Sequence, residues 1–200
     1  METPVIGVLA LQGDYEAHAK ALAAAGARPL EVRTRKDLDS VDALVIPGGE
    51  STTMLKLLHL EDLFEPLRRF GQTKPVFGTC AGAILVAKTV TNPEQQSLGL
   101  MDIAVERNAY GRQLDSRIVR LSPEVRQVLE DGDFEAVFIR APIIRSVDEP
   151  ARVLARYQGD PVLVEQGRHM AATFHPELTA DPRLHRLFVD KVRNSRRKTK

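Results

Sequence analysis

The chain holds one cysteine, Cys80, within Pro75-Val76-Phe77-Gly78-Thr79-Cys80-Ala81-Gly82. An apolar run enters this stretch, glycines stand two residues before and two after the sulfur, and a small-residue helical pattern, Ala83-Ile84-Leu85-Val86-Ala87, leaves it. Strand, sharp turn and helix with a nucleophile at the turn is the shape of a hydrolase elbow, where glycines relieve crowding and the side chain projects beyond the strand. A helix start beside the sulfur favours a thiolate. A small buried hydrophobe has the same local pattern, so the elbow needs a partner to become a site.

A cysteine nucleophile requires a base within reach and a third group to orient that base. Of five histidines, His18, His59 and His185 fall in helical segments and read as surface or interface residues. His169 opens a strand and has no acidic residue close after it. His175 differs, because Thr173-Phe174-His175-Pro176-Glu177 follows an apolar strand and sets a carboxylate two residues beyond the imidazole, with a proline stiffening the turn. Glu177 can then hold one ring nitrogen while the other faces Cys80. Pro47-Gly48-Gly49-Glu50-Ser51-Thr52 also follows a strand and precedes a helix. Its two glycines can turn N–H groups outward to receive a phosphate or the oxyanion of a tetrahedral intermediate. It lacks the Gly-Lys-Ser/Thr of a phosphate-binding P-loop.

These residues need a scaffold. Val5–Leu9, Pro29–Val32, Ala43–Ile46 and Lys74–Gly78 read as buried strands, and helices are expected over Tyr15–Ala25, through Met54 to Leu58, over Leu63–Phe70 and over Ala81–Ala87. The order from the first strand is β, α, β, β. Asn92–Ser97 reads as loop. Strands follow over Met101–Val105, Arg117–Leu121, Ala136–Ile139, Val153–Tyr157, Val162–Gln166 and His169–Thr173, with a short helix opening at Ser122-Pro123-Glu124 and running to Leu129. A last helix spans Pro182 to about Asn194 with Leu184, Leu187, Phe188 and Val192 inward. Alternating β and α units predict a largely parallel sheet covered on both faces, to which the second half adds strands.

Two hundred residues with 43% hydrophobic content suit one domain. Residues 1–192 are expected to form it, leaving 193–200 as a basic tail of the kind that frays. The last ten residues carry six basic groups and no acidic one, so without them the formal +1 becomes −5. An acidic body argues against nucleic-acid binding. A single cysteine offers no internal disulfide, no apolar run approaches the length of a membrane span, and Met1-Glu2-Thr3-Pro4 does not begin a signal peptide. A cytoplasmic protein that binds no membrane is the expectation.

Gly78-x-Cys80-x-Gly82 followed by His175-Pro176-Glu177, with Pro47-Gly48-Gly49 upstream, resembles a class I, triad-type glutamine amidotransferase. More narrowly, residues 47–52, Val105-Glu106-Arg107-Asn108-Ala109-Tyr110-Gly111-Arg112-Gln113 and Phe138-Ile139-Arg140-Ala141-Pro142 resemble the glutaminase subunits of ribose-5-phosphate-dependent pyridoxal 5′-phosphate synthases. The resemblance runs from Val5 to the last helix; Arg117, where an aromatic is expected, and the longer basic tail depart from it. It implies a three-layer, flavodoxin-like α/β domain and hydrolysis of L-glutamine through a cysteinyl thioester. Cys80 is then the nucleophile, His175 the proton carrier and Glu177 its orienting group, with an oxyanion hole from the N–H groups of Gly48, Gly49 and Ala81. Gly48, Gly49, Glu50, Arg107, Ile139 and Arg140 would line the glutamine site. Outside the resemblance, Arg107 and Arg140 read as surface ion-pairing residues.

The resemblance implies no cofactor and no metal. It implies an obligate activating partner, the synthase subunit, a (β/α)₈ barrel that takes ribose 5-phosphate and glyceraldehyde 3-phosphate, in a large hetero-oligomer. Length agrees, since the chain leaves no room for an acceptor-binding domain. A glutaminase serving a histidine or purine synthase, a DJ-1-like cysteine hydrolase and a non-catalytic binding subunit are the competing readings.

Overall fold

The computed structural model describes residues 3–108, 116–124 and 132–198. Seven strands form the central sheet. Five of them, β1 (Val5–Leu9), β2 (Arg28–Val32), β3 (Ala43–Ile46), β4 (Val76–Thr79) and β12 (His169–Ala172), are parallel. β10 (Arg152–Tyr157) and β11 (Asp160–Gln166) extend the sheet antiparallel beside β12, in the order β10-β11-β12-β4-β3-β1-β2.

Strand alternation divides the core into two layers. On β3, Ala43 and Val45 face one side, where α1 (Tyr15–Ala24) and α6 (Arg183–Lys198) supply Leu22, Leu184, Phe188, Val189 and Val192. Leu44 and Ile46 face the other, against Met54 and Leu58 of α3 (Ser51–Leu60), Leu67 of α4 (Phe64–Thr73) and Leu85 of α5 (Ala81–Val86). The result is the expected three-layer α/β architecture. Because β1 has β2 on one side and β3 on the other, the strand order reverses at β1. The carboxyl ends of parallel strands beside such a reversal open a crevice. β1, β3, β4 and β12 all deliver their following loops to that edge.

Several elements differ from the expectation. A short helix, α2 (Arg35–Asp39), intervenes between β2 and β3, opened by a reciprocal capping box in which Thr34 and Asp37 satisfy each other's backbone N–H. Thr34-x-x-Asp37 was the available signal. α5 passes directly into β5 (Ala87–Thr91) with no turn residue between, and β9 (Ile143–Val147) carries Arg145 and Ser146 within its run; neither strand was expected. The second half does not all join the central sheet. β6 (Met101–Glu106) pairs with β5 and β9 in a separate three-stranded sheet. β7 (Ser116–Leu121) and β8 (Phe134–Ile139) pair as an antiparallel ribbon, with Arg117 directly across from Phe138. Of the helix expected from Ser122 to Leu129, residues 125–131 lie outside the described residues, as do 109–115 of the segment beginning at Val105; Pro123 itself bridges to Ala155. α6 continues past Asn194 to Lys198. Among the described residues no helix is long and apolar enough to cross a membrane.

Candidate active site

Cys80 stands between β4 and α5 with φ 49° and ψ −106°. A non-glycine residue held at positive φ costs of order 1–3 kcal/mol, which the surroundings must offset. They do so by close packing. A Cβ on Gly78 would lie 2.3 Å from the Gly82 carbonyl oxygen, and one on Gly82 would lie 2.1 Å from that of Ile46. Both glycines are therefore steric necessities of the elbow. The Cys80 N–H donates to Ala172 O at 2.8 Å, pinning the turn to β12. The thiol is nearly buried, with Sγ 3.9 Å from the Ile139 carbonyl at the end of β8.

His175 follows β12 and is fixed through its backbone N–H to Val137 O at 2.8 Å. Pro176 then opens a single 3-10 turn, Pro176–Leu178, which folds Glu177 back beneath the ring. His175 Nδ1 lies 2.7 Å from Glu177 Oε1. A carboxylate can only accept, so Nδ1 carries the proton and Nε2 is the nitrogen left over for Cys80. Burial alone would lower the His175 pKa. The hydrogen bonds and charges of Cys80 and Glu177 outweigh it and raise the pKa from its ordinary 6.5 to about 10. The imidazole is thus held as a cation beside the sulfur.

The Pro47-Gly48-Gly49 loop passes over this ring. A Cβ on Gly48 would meet His175 Cε1 at 2.3 Å, so only glycine permits the approach. Gln12, which sequence reasoning did not single out, secures the loop by accepting the Glu50 N–H at Oε1, 3.2 Å away. Its one signal was position, in the loop that leaves β1 and just before Gly13, whose Cβ would strike the Gly48 carbonyl at 1.9 Å. Ala81 opens α5, where first-turn N–H groups have no intrahelical acceptor.

Glu50 caps α3, accepting from the N–H of Thr53 at 2.8 Å and of Thr52 at 3.2 Å. Partial burial works to raise its pKa, but these bonds prevail and hold it below the ordinary carboxylate value. Arg107 donates from Nη2 to Thr52 Oγ1 at 2.6 Å and lies 3.5 Å from Glu50 Oε1. Its side chain is only 10% exposed, and its Nε is buried without a partner. Ile139 reaches the sulfur through its carbonyl; Arg140, next in the chain, is exposed at φ 44°.

His18 and His185 are not surface residues. Both are wholly buried between α1 and α6, behind Glu177. The helical spacing could have placed them: His18 lies four residues before buried Leu22, and His185 lies three, four and seven before Phe188, Val189 and Val192. Burial, then the charges of His185 and His175, push the His18 pKa well down, and burial lowers His185 to about 4. His169 is buried and accepts the Val76 N–H at Nδ1, 3.2 Å away. His59 is exposed and stacks on Phe64. Among the described residues no group of three or more His, Cys, Asp or Glu side chains could hold a metal ion.

A parallel-sheet fold carrying an elbow cysteine, with a histidine and a carboxylate after the last parallel strand, defines the class of glutamine amidotransferases. The chain belongs to the SNO glutamine amidotransferase family, which matches residues 8–194. It is 63% identical over 189 residues to "Pyridoxal 5'-phosphate synthase subunit PdxT" of Solibacter usitatus, covering 94% of this chain and 98% of that protein. A protein of the same name from Koribacter versatilis is 55% identical over 189 residues, 94% of this chain and 96% of its own length. A crystal structure of a glutamine amidotransferase is 46% identical and superposes with a TM-score of 0.85, covering 94% of this chain and 98% of that one.

Proposed function

We propose that this chain is the glutaminase of a two-protein pyridoxal 5′-phosphate synthase, hydrolysing the side-chain amide of L-glutamine and passing the ammonia to a synthase subunit. The observation that carries the chemistry is the buried Glu177–His175 pair acting beside Cys80 at a strained elbow. Cys80 Sγ attacks the amide carbon and the C–N bond breaks. His175, already a cation, gives its Nε2 proton to the departing ammonia. The glutamyl thioester that remains is hydrolysed by water, with the now neutral His175 as base, and Glu177 holds the ring through both steps. The N–H groups of Gly48, Gly49 and Ala81 serve the oxyanion, where each donor is worth about 2.7–4 kcal/mol in the transition state. Glu50, Arg107, Ile139 and Arg140 bind the amino-acid end of glutamine, for which the unpartnered, buried Arg107 Nε offers a charged donor.

The partner is the (β/α)₈ synthase subunit that combines ribose 5-phosphate and glyceraldehyde 3-phosphate, and it switches the glutaminase on within a hetero-oligomer. The catalytic unit is residues 1–192, with 193–200 a basic extension. A free catalytic thiol suits the reducing cytoplasm. Glutamate release from glutamine, measured with and without the synthase and with Cys80→Ala as control, tests the reading. Cys80-dependent release that rises with the synthase is the expected result. Release indifferent to the synthase removes the partner, and none in either mixture removes the amidase.

A further inference from the structure

The second oxygen of Glu177 is not used by the triad. Oε1 takes the His175 proton, whereas Oε2 is buried without a well-formed hydrogen bond, and His18 Nε2 stands 3.2 Å from it. His18 reaches there from α1. The same Nε2 is 3.0 Å from Thr79 Oγ1 of β4, and Nδ1 is 3.0 Å from His185 Nε2 of α6. With Glu177 and His175 from the loop after β12, these are the polar and titratable groups facing the His18 ring.

The proton positions follow from the neighbours. A carboxylate oxygen beside Nε2 requires the proton on that nitrogen. Nδ1 is then an acceptor, so His185 must donate from its own Nε2 and leave its Nδ1 bare. His185 Nδ1 is indeed a buried nitrogen without a partner. An unpaired acceptor is tolerated more readily than an orphaned N–H, so this assignment is the one the burial permits. Both imidazoles are neutral, and neutrality matters at His18: a cation there would draw the Glu177 charge away from His175.

We infer that His18 is a positioning residue for the amidase reaction: its Nε2–H, framed by Thr79 and His185, steadies Glu177 Oε2 so that Oε1 stays aligned with His175. The inference rests on the triad described under Proposed function. The test compares His18→Leu, His18→Asn and His18→Gln in the assembled complex with the synthase, measuring kcat, KM for glutamine and Tm. The glutamine amide nitrogen can occupy the position of imidazole Nε2, whereas that of asparagine is too short. Partners that orient a working histidine are worth about 10–100-fold, so His18→Leu and His18→Asn should lose about that in kcat with KM within about twofold, and His18→Gln should recover to within about fivefold of wild type.

A His18→Gln enzyme as slow as His18→Leu at equal Tm, a His18→Leu enzyme with wild-type kcat, or a loss confined to KM overturns the inference. Should His18→Leu fail to fold, the Gln and Asn variants, both polar, carry the comparison. A wild-type complex that releases no glutamate removes the triad reading, and the inference with it.

Discussion

In the proposed triad Glu177 acts through His175 alone, and its replacement separates charge from shape. Glu177→Gln keeps the volume but presents an amide whose oxygen and NH₂ compete for Nδ1, so the ring loses both its fixed tautomer and its compensating charge. In the analogous serine triad the corresponding change costs about 10⁴-fold in kcat, and a loss on the order of 10³–10⁴-fold is expected here. The pH profile should report the cause. Cys80 and Glu177 together raise His175 to about 10 against the opposing effect of burial, so the alkaline limb of the wild-type profile belongs near that pH. Removing one of the two raising groups must move the limb to lower pH; an unmoved limb would mean that Glu177 does not govern the ring. Arg107 calls for the opposite signature. Lysine lacks the Nε–H that Arg107 holds buried and unpartnered, so it cannot offer that second donor beside the Nη2 that engages Thr52 and Glu50. Arg107→Lys should raise KM for glutamine about tenfold, roughly 1.4 kcal/mol, with kcat nearly unchanged, as steady-state kinetics of the activated complex would register.

The elbow is where element geometry and local sequence agree most closely. Gly82→Ala would put a Cβ 2.1 Å from the Ile46 carbonyl, an atom of β3 at the middle of the sheet that cannot move alone. Overpacking of this kind costs about 1–3 kcal/mol, and displacement of the sulfur should remove activity well beyond that loss of stability. Thermal unfolding and glutamate release on the same preparation check both parts; a variant with wild-type Tm and turnover would show that the helix start can yield. The same contact explains why this part of the molecule was legible in the chain: glycines two residues either side of Cys80 have no cheaper explanation than a crowded turn. His175-Pro176-Glu177 was legible because two residues and a proline suffice to fold the carboxylate under the ring. His18 and His185 were misread because a histidine in a helix reveals its side only through its neighbours: no inward face was read for the first helix, and that of the last, Leu184, Leu187, Phe188 and Val192, was read as apolar packing alone. β5 escaped because α5 becomes strand with no glycine or proline between them, and α2 because five residues are too few to show a helical period. Gln12 carried no chemical signal, since its role depends on β1 and β3 lying side by side.

At the scale of the whole molecule, three of the four buried histidines are kept neutral, and this sets how the fold meets acid. His18 and His185 sit between α1, α6 and the sheet, and His169 spends Nδ1 as an acceptor for β4. Burial lowers His185 to about 4; burial first, then the charges of Arg168 and Lys191, lowers His169 to about 4; His18 is lowered well below its ordinary value by burial, then by His185 and His175. Unfolded, each regains a pKa near 6.5. The unfolded chain therefore binds protons that the folded chain refuses. The stabilisation is fully present above about 6.5 and drains away as pH falls toward 4. His175 has the opposite sign: raised to about 10 when folded, it is partly neutral in the unfolded chain near 6.5, so it offsets part of the slope there and drops out only once the unfolded imidazole is fully protonated. The carboxylates with lowered pKa, such as Glu50 and Asp181, add their own loss only near and below their ordinary values of 4.5 and 3.8. Three refused protons give a limiting slope of about 4 kcal/mol per pH unit, steep enough to unfold a domain of ordinary stability within two units or so. Urea unfolding at pH 6, 5.5 and 5 should approach that slope. His169→Asn, far from the sulfur and able to accept the Val76 N–H through its amide oxygen in the place of Nδ1, should reduce it by one proton, about 1.4 kcal/mol per pH unit. An unchanged slope in that variant would assign the acid sensitivity to groups other than the buried imidazoles.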